Sequence, residues 1–313
     1  MNDGLAREMH GLCGGCDCPV DAATKTVTPP ACCDTLQIDA SSRIRRAVQD
    51  LRWVPGYRMP MDPAPNTWGY KERLVDELFS ELDGRPARVL DLGCGTGQIF
   101  VDVLRRHSNV AYTGVDQDGY ALRHARDTIG KYDNVTLNAG FGEAFSGDGF
   151  DLVLSLSVLE HVKRLKPFLA TSVGLTKPGG RIVHRYDLGH ALTPSTQGER
   201  LRVAVARRLP VVVPASRFTT YPDQRTVVDQ LRNLEIDGIT VTQCQMPCLK
   251  AAMNHIDPTA STSAALAQRI IDLEADLWET VGRSLPDEQR DRLFPTVTIS
   301  GYRRALRRSG RVY

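Results

Sequence analysis

The chain has 313 residues, 42% of them hydrophobic and 24% charged, with a formal net charge of +2. That is the balance of an ordinary globular protein of one large domain or two average ones, with no general attraction to nucleic acid or anionic membrane. No apolar run approaches the roughly 18 residues of a membrane-spanning helix, and "MNDGLAREMHGLCGGC" has neither the basic start nor the apolar centre of a signal peptide. A cytoplasmic location is therefore expected, with the eight cysteines as thiols or metal ligands and not in disulfides.

Residues 1–65 read as a loosely structured, Cys/Pro-rich extension. "CGGCDC" presents Cys13, Cys16 and Cys18, with Cys32 and Cys33 downstream and a further C-x-x-x-C at Cys244 and Cys248. C-x-x-C is a zinc half-site, but an adjacent pair such as Cys32 and Cys33 is poor geometry for closing tetrahedral coordination, so no metal is assigned. From Asn66 the pattern changes. "NTWGYKERLVDELFSELDG" places Leu74, Val75, Leu78, Phe79 and Leu82 on one helical face, and Gly84 stops the helix. Short apolar runs then alternate with amphipathic segments: "RVLDLG", "VAYTGVD", "VTLNAG", "FDLVLSLS" and "RIVHRYD" as strands. Helices are expected at "GQIFVDVLRRH", "GYALRHARDTIGKY" and "KPFLATSVGL", the last with Pro167 in its first turn. This rhythm predicts an α/β fold, a doubly wound and mostly parallel sheet with helices on both faces, over residues 66–190. In 191–313, "DQRTVVDQLRNL" reads as a helix and "GITVTQCQM" and "PTVTISGYR" as sixth and seventh strands. Between those strands, "TSAALAQRIIDLEADLWETVG" reads as a helical insertion.

"DLGCGTG" occupies the turn from the first strand to the first helix. It fails the G-x-G-x-x-G dinucleotide pattern in both registers and lacks the Gly-Lys-Ser/Thr ending of a P-loop. Its G-x-G-x-G spacing, with Asp91 two residues ahead, resembles the first motif of the class I S-adenosylmethionine-dependent methyltransferases. "YTGVDQD", with Asp116 nineteen positions after Gly97, "FDLVLSLSVLEHV" and "LTKPGGRIV" resemble further parts of that family in the right order. The resemblance covers about residues 66–190. It implies S-adenosylmethionine as cofactor, with Gly93, Gly95 and Gly97 admitting the methionine part and Asp91 holding its ammonium. Asp116 would take the ribose and Gln117 would lie beside the adenine, with backbone near Leu156 at the methionine end. Where many relatives carry Gly-Asp-Ala, this chain has "AGFGEAF", so adenine would instead meet Phe141, Gly142 backbone or Glu143.

Beyond the cofactor, His161, Asp187 and His190 leave strand ends on the rim where an acceptor would lie, and they are the candidate catalytic residues. His190 is ranked first because Asp187 could orient it. His184 could join Asp187 and His190 as a metal set only if residues three apart on a strand shared a face, which they do not. Residues 191–313 are expected to form the acceptor-binding cap. The implied reaction is methyl transfer to an oxygen or nitrogen of a small molecule. An RNA methyltransferase using the arginine-rich "YRRALRRSGRVY", or a non-catalytic cofactor-binding protein with a cysteine metal or redox site, are the alternatives. No nucleic acid or membrane partner is expected.

Overall fold

The computed structural model describes residues 65–189, 220, 222–253 and 262–305, apart from 83 and 148. It also describes four strand residues near the N-terminus and four helical positions between 201 and 208. His190, the five N-terminal cysteines and residues 306–313, with much of the arginine-rich tail, lie outside the described residues. The chain divides into two compact units, Met1–Met61 and Asp62–Tyr313. In the first, Val20–Asp21 pairs antiparallel with Thr26–Val27.

The second unit opens with helix α1, Pro65–Ser80. Proline is tolerated at a helix start because its missing N–H would have no intrahelical partner. Val75, Leu78 and Phe79, with Leu82 just beyond, are buried against Val89, Phe100, Leu104 and Tyr112, and Leu74 packs half-buried beside them. Six further elements follow in alternation: β1 (Ala87–Leu92), α2 (Val101–Arg106), β2 (Val110–Asp116), α3 (Gly119–Thr128), β3 (Val135–Ala139) and β4 (Phe150–Leu156). Every residue of β4 is buried, as a central parallel strand covered on both faces must be. Next come α4 (Leu165–Leu175), β5 (Thr176–Asp187), α5 (Gln224–Asn233), β6 (Ile236–Cys244), α6 (Pro247–Met253), α7 (Ser263–Thr280), α8 (Asp287–Leu293) and β7 (Thr296–Arg303). Asp223 caps α5, its side chain accepting from Thr226 N–H, which satisfies one orphan amide of the first turn.

The seven strands form one sheet in the order β3-β2-β1-β4-β5-β7-β6. The first five run parallel, and β7 is antiparallel to both β5 and β6. The expected doubly wound, mostly parallel sheet is therefore present. One detail differs. The expected fifth strand starts at Arg181, whereas β5 pairs already at Thr176 with Phe150 and reaches Arg181 through an irregularity in which Gly179 takes φ +79. Helices cover both faces. Phe168, Leu169 and Val173 of α4 and Val227, Val228 and Leu231 of α5 pack on one face, while α1, α2 and α3 pack on the other.

Two features position a site. The chain winds outward from β1 to β3 and then crosses back to β4, so the strand order reverses between β1 and β4. In open α/β sheets the crevice for a ligand lies at such a reversal, outside the carboxyl ends of the strands. The first and the later helices build a separate small cluster: Tyr70 of α1, Met253 of α6 and Ile271 of α7 pack together. Among the described residues, no helix is long and apolar enough to cross a membrane.

Candidate functional site

The turn after β1 is built from left-handed backbone. Gly93, Gly95 and Gly97 have φ of +89, +56 and +67, values that side-chain-bearing residues rarely adopt. The three glycines are needed for different reasons. A Cβ on Gly93 would fall 2.4 Å from Val158, and one on Gly97 would fall 2.5 Å from Ile129. A Cβ on Gly95 would meet nothing within 4 Å, so that position faces open space. The turn is tied to the next strand: Gly93 N–H and Cys94 N–H donate to the carbonyl of Val115, and Gly95 N–H donates to Asp116 Oδ2 at 2.8 Å. Asp116 Oδ1 accepts from Asp118 N–H, so the carboxylate is held at the end of β2 with accepting capacity to spare. Gln117, the next residue, is exposed, and so is Phe141 after β3, at 52%. Gly142 is required where it is, since a Cβ there would press on the Phe168 ring at 2.8 Å.

Asp91 is the least satisfied group of the turn. It is 2% exposed, and Oδ2 accepts from the Tyr112 hydroxyl at 2.9 Å, while Oδ1 has no partner among the described residues. Burial pushes its carboxyl up to about 7, against the partial relief given by Tyr112. A buried carboxylate with an orphan oxygen beside an open turn is suited to an incoming ammonium. Leu156 closes β4, and Ser157 after it takes φ +61 with its N–H donated to the Arg185 carbonyl. A non-glycine residue in that region stores strain of roughly 1–3 kcal/mol, of the kind that collects where a ligand binds.

The expected catalytic residues have different fates. His161 is exposed at the end of the short turn Leu159–His161 that follows β4. Asp187 closes β5 and is largely committed: Oδ1 accepts from Gly189 N–H at 2.7 Å and Oδ2 pairs with Lys250 at 3.1 Å. His190 lies outside the described residues. His184 is fully buried between the hydroxyls of Ser155 and Ser172, and burial lowers its pKa to about 3. It is a neutral core histidine. Among the described residues no group of three His, Cys, Asp or Glu could hold a metal.

Five residues to which the sequence pattern assigns no role complete the edge. Glu160 is 1% exposed, with Oε1 accepting from Asp187 N–H and Oε2 unpartnered among the described residues, and burial lifts it to about 7. Lys71, on α1, is lowered to about 8, first by burial and then by Arg185. Arg185 is 4% exposed. Lys250 reaches in from α6, and Glu274 from α7 accepts from the Tyr70 hydroxyl and from Gln245 and Met246 N–H. Signals for two of them were in the sequence. Lys71 stands four residues before Val75 and seven before Leu78, on the apolar stripe of α1, and Arg185 falls inside the strand segment "RIVHRYD".

Residues 90–182, which carry the glycine turn, Asp116 and β4, match the family model of the methyltransferase domain. This segment is similar to methyltransferase domains. The chain is 36% identical over 99 residues to a ubiquinone biosynthesis O-methyltransferase of Rhizobium johnstonii, covering 30% of this chain and 39% of that protein. It is 34% identical over 96 residues to a demethylmenaquinone methyltransferase of Tropheryma whipplei, with the same coverage of 30% and 39%. The match thus spans about two-fifths of the length of these curated relatives. Among solved structures, phosphoethanolamine N-methyltransferase 2 of Haemonchus contortus is 17% identical with a TM-score of 0.48, over 70% of this chain and 49% of that one. The matched segment ends at 182, before the last residues of β5 and before α6 and α7. Arg185, Lys250 and Glu274 therefore lie outside the residues matched to the family.

Proposed function

We propose that the protein transfers a methyl group from S-adenosylmethionine to an oxygen or nitrogen of a small molecule. The observation that carries this reading is the orphaned oxygen of buried Asp91 beside the open face of Gly95. Asp91 would accept from the cofactor's ammonium, and the Lys71 ammonium, near enough to lower Asp91's pKa slightly, suits the carboxylate of the same amino-acid end. Asp116, oriented by Gly95 and Asp118 amides, would accept the ribose hydroxyls. Exposed Phe141 offers a face for adenine, with Gln117 and Gly142 backbone beside it, and Leu156 lies at the methionine end. When bound, the cofactor supplies a methyl group activated by its sulfonium, which is also the leaving group.

The chain's own contribution is alignment, exclusion of water and, for a hydroxyl acceptor, removal of a proton. His161 and His190 are the proposed bases, since an imidazole is half neutral near pH ~6.5. Asp187, occupied by Gly189 N–H and Lys250, is better suited to fixing the rim than to taking a proton. The Rhizobium relative's name supports an oxygen acceptor. The test is calorimetry with S-adenosylhomocysteine, followed by transfer from tritiated S-adenosylmethionine to a panel of small hydroxyl and amine acceptors. Absence of cofactor binding refutes the reading.

A further inference from the structure

A guanidinium stays ionised at any pH a protein experiences, so burying it without an anion is among the costliest arrangements a fold can keep. Arg185 is close to that position, since among the described residues no carboxylate hydrogen-bonds it. It is 4% exposed, its Nε has no partner among the described residues, and its Nη2 donates to the Cys244 sulfur at 3.2 Å. Burial raises the Cys244 pKa, so that neighbour is a neutral thiol and not a thiolate. The Tyr70 ring lies 6.0 Å from the guanidinium and adds only a weak attraction.

The carboxylates around Arg185 are engaged elsewhere. The oxygens of Glu274 are taken by the Tyr70 hydroxyl and by two backbone amides, Gln245 and Met246. Asp187 pairs with Lys250. Glu160, lifted to about 7, is only partly ionised at neutral pH and accepts from Asp187 N–H. Among the described residues none of them forms an ion pair with Arg185, and the nearby half-buried Lys71 and Lys250 add positive charge on the same side. What is missing is an anion bonded to the guanidinium: Glu274 is near enough for Arg185 to lower its pKa, but the two form no ion pair. Arg185 sits two residues before the end of β5, at the carboxyl edge of the sheet and beyond the residues shared with the family model.

We infer that Arg185 is the anchor of an acceptor subsite for an anionic group, a carboxylate or a phosphate monoester, carried by the molecule to be methylated. This rests on the proposed methyltransferase reading and narrows its acceptors to anionic ones. The planar fork of the guanidinium matches two oxygens of either group, which a lysine would not do. Binding the anion would also remove the unpaired charge, so affinity and selectivity come from one residue.

The experiment uses the full chain with saturating S-adenosylhomocysteine, and titrates benzoate and phenyl phosphate as probes, with benzamide and phenol as neutral controls. The wild type should bind at least one anionic probe and neither control; which anion binds separates a carboxylate from a phosphate acceptor. Arg185→Gln and Arg185→Met should weaken that probe about ten- to hundredfold while leaving S-adenosylhomocysteine affinity unchanged, and Arg185→Met should melt higher than wild type without ligand. Lys71→Met should show the reverse, losing cofactor affinity more than probe affinity. Arg185 variants that lose cofactor affinity instead, or that keep probe affinity, overturn the inference. So does a wild type that binds neither anion, or an Arg185→Met protein that melts lower. If S-adenosylhomocysteine itself does not bind, the methyltransferase reading fails, while the anion titration on the free protein still decides the role of Arg185.

Discussion

Replacing Asp91 by asparagine should make the protein more stable and less able to bind its cofactor. The carboxyl is raised from its ordinary 3.8 to about 7, chiefly by burial. Between those values the folded state holds a proton that the unfolded state releases, so folding stability falls as pH rises from about 4 to about 7. Each pH unit in that window is worth about 1.36 kcal/mol, so keeping Asp91 costs about 2 kcal/mol at pH 5 and about 4 kcal/mol at pH 7. Asparagine has no such pH dependence. It can still accept from the Tyr112 hydroxyl, but it buries an amide N–H₂ without an acceptor, at a cost of about 1–3 kcal/mol. The net expectation is a gain of about 1–3 kcal/mol at pH 7 that shrinks to nothing by pH 5. For a unit of this size that pH-dependent difference corresponds to about 4–8 °C in melting temperature. Melting of wild type and Asp91→Asn at pH 5 and pH 7, without cofactor, measures it. Calorimetry at pH 7 should show S-adenosylhomocysteine bound about ten- to hundredfold more weakly by the variant. A melting difference that is the same at both pH values would show that Asp91 carries no burial penalty. Unchanged affinity would take it out of the cofactor site.

Asp116→Ala should weaken S-adenosylhomocysteine by about 1.5–3 kcal/mol, as loss of a charged acceptor does, and calorimetry reads it directly. Gly97→Ala should destabilise the fold by about 1–3 kcal/mol, because a methyl group at φ +67 would also fall 2.5 Å from Ile129; an unchanged melting temperature would refute the packing argument. Gly95→Ala should cost less stability but more cofactor affinity, since its missing side chain faces open space. With a hydroxyl acceptor, the variant lacking the true base among His161→Ala and His190→Ala should lose about 10²–10⁴ in kcat. If neither loses more than a few-fold at any pH, alignment alone drives transfer.

The parallel core was legible because β1, β2 and β4 are apolar runs with a turn signal at each end, and because the glycine spacing excluded the other phosphate- and nucleotide-binding loops. The site was legible only where motif and chemistry coincide. Asp91 and Asp116 stand at strand ends and could be read from order along the chain. Lys71, Lys250 and Glu274 come from three different helices, α1, α6 and α7, and meet β5 only after some 200 residues of chain have folded back. Such a meeting has no local signature. His184 on β5 likewise carries no local sign of its burial: the pleat turns it inward between two serine hydroxyls.

The buried charges at the sheet's edge share a physical cause. Asp91 and Arg185 each sit within two residues of a strand end, where the backbone is fixed by pairing on both sides and cannot carry the side chain out to water, and Glu160 lies in the turn just after β4. Their neighbours on the same strands, Leu90, Leu92, Leu154, Val183 and Tyr186, are fully buried and supply the apolar packing that holds the edge rigid. Apolar residues of similar size at the three positions would serve stability better than charges with orphaned atoms. The fold therefore keeps charges that no residue of opposite charge hydrogen-bonds, and their signs say what would pair with them: a cation at Asp91 and an anion at Arg185. A zwitterionic cofactor end at β1 and an anionic acceptor at β5 would supply both charges, on neighbouring stretches of one crevice. If Asp91→Asn and Arg185→Met each melt higher than wild type, their combination should gain nearly the sum, because the groups answer to different ligands and share no hydrogen bond. A combined gain well below the sum would mean that the two charges compensate each other through the protein, and the separation into cofactor and acceptor ends would fall.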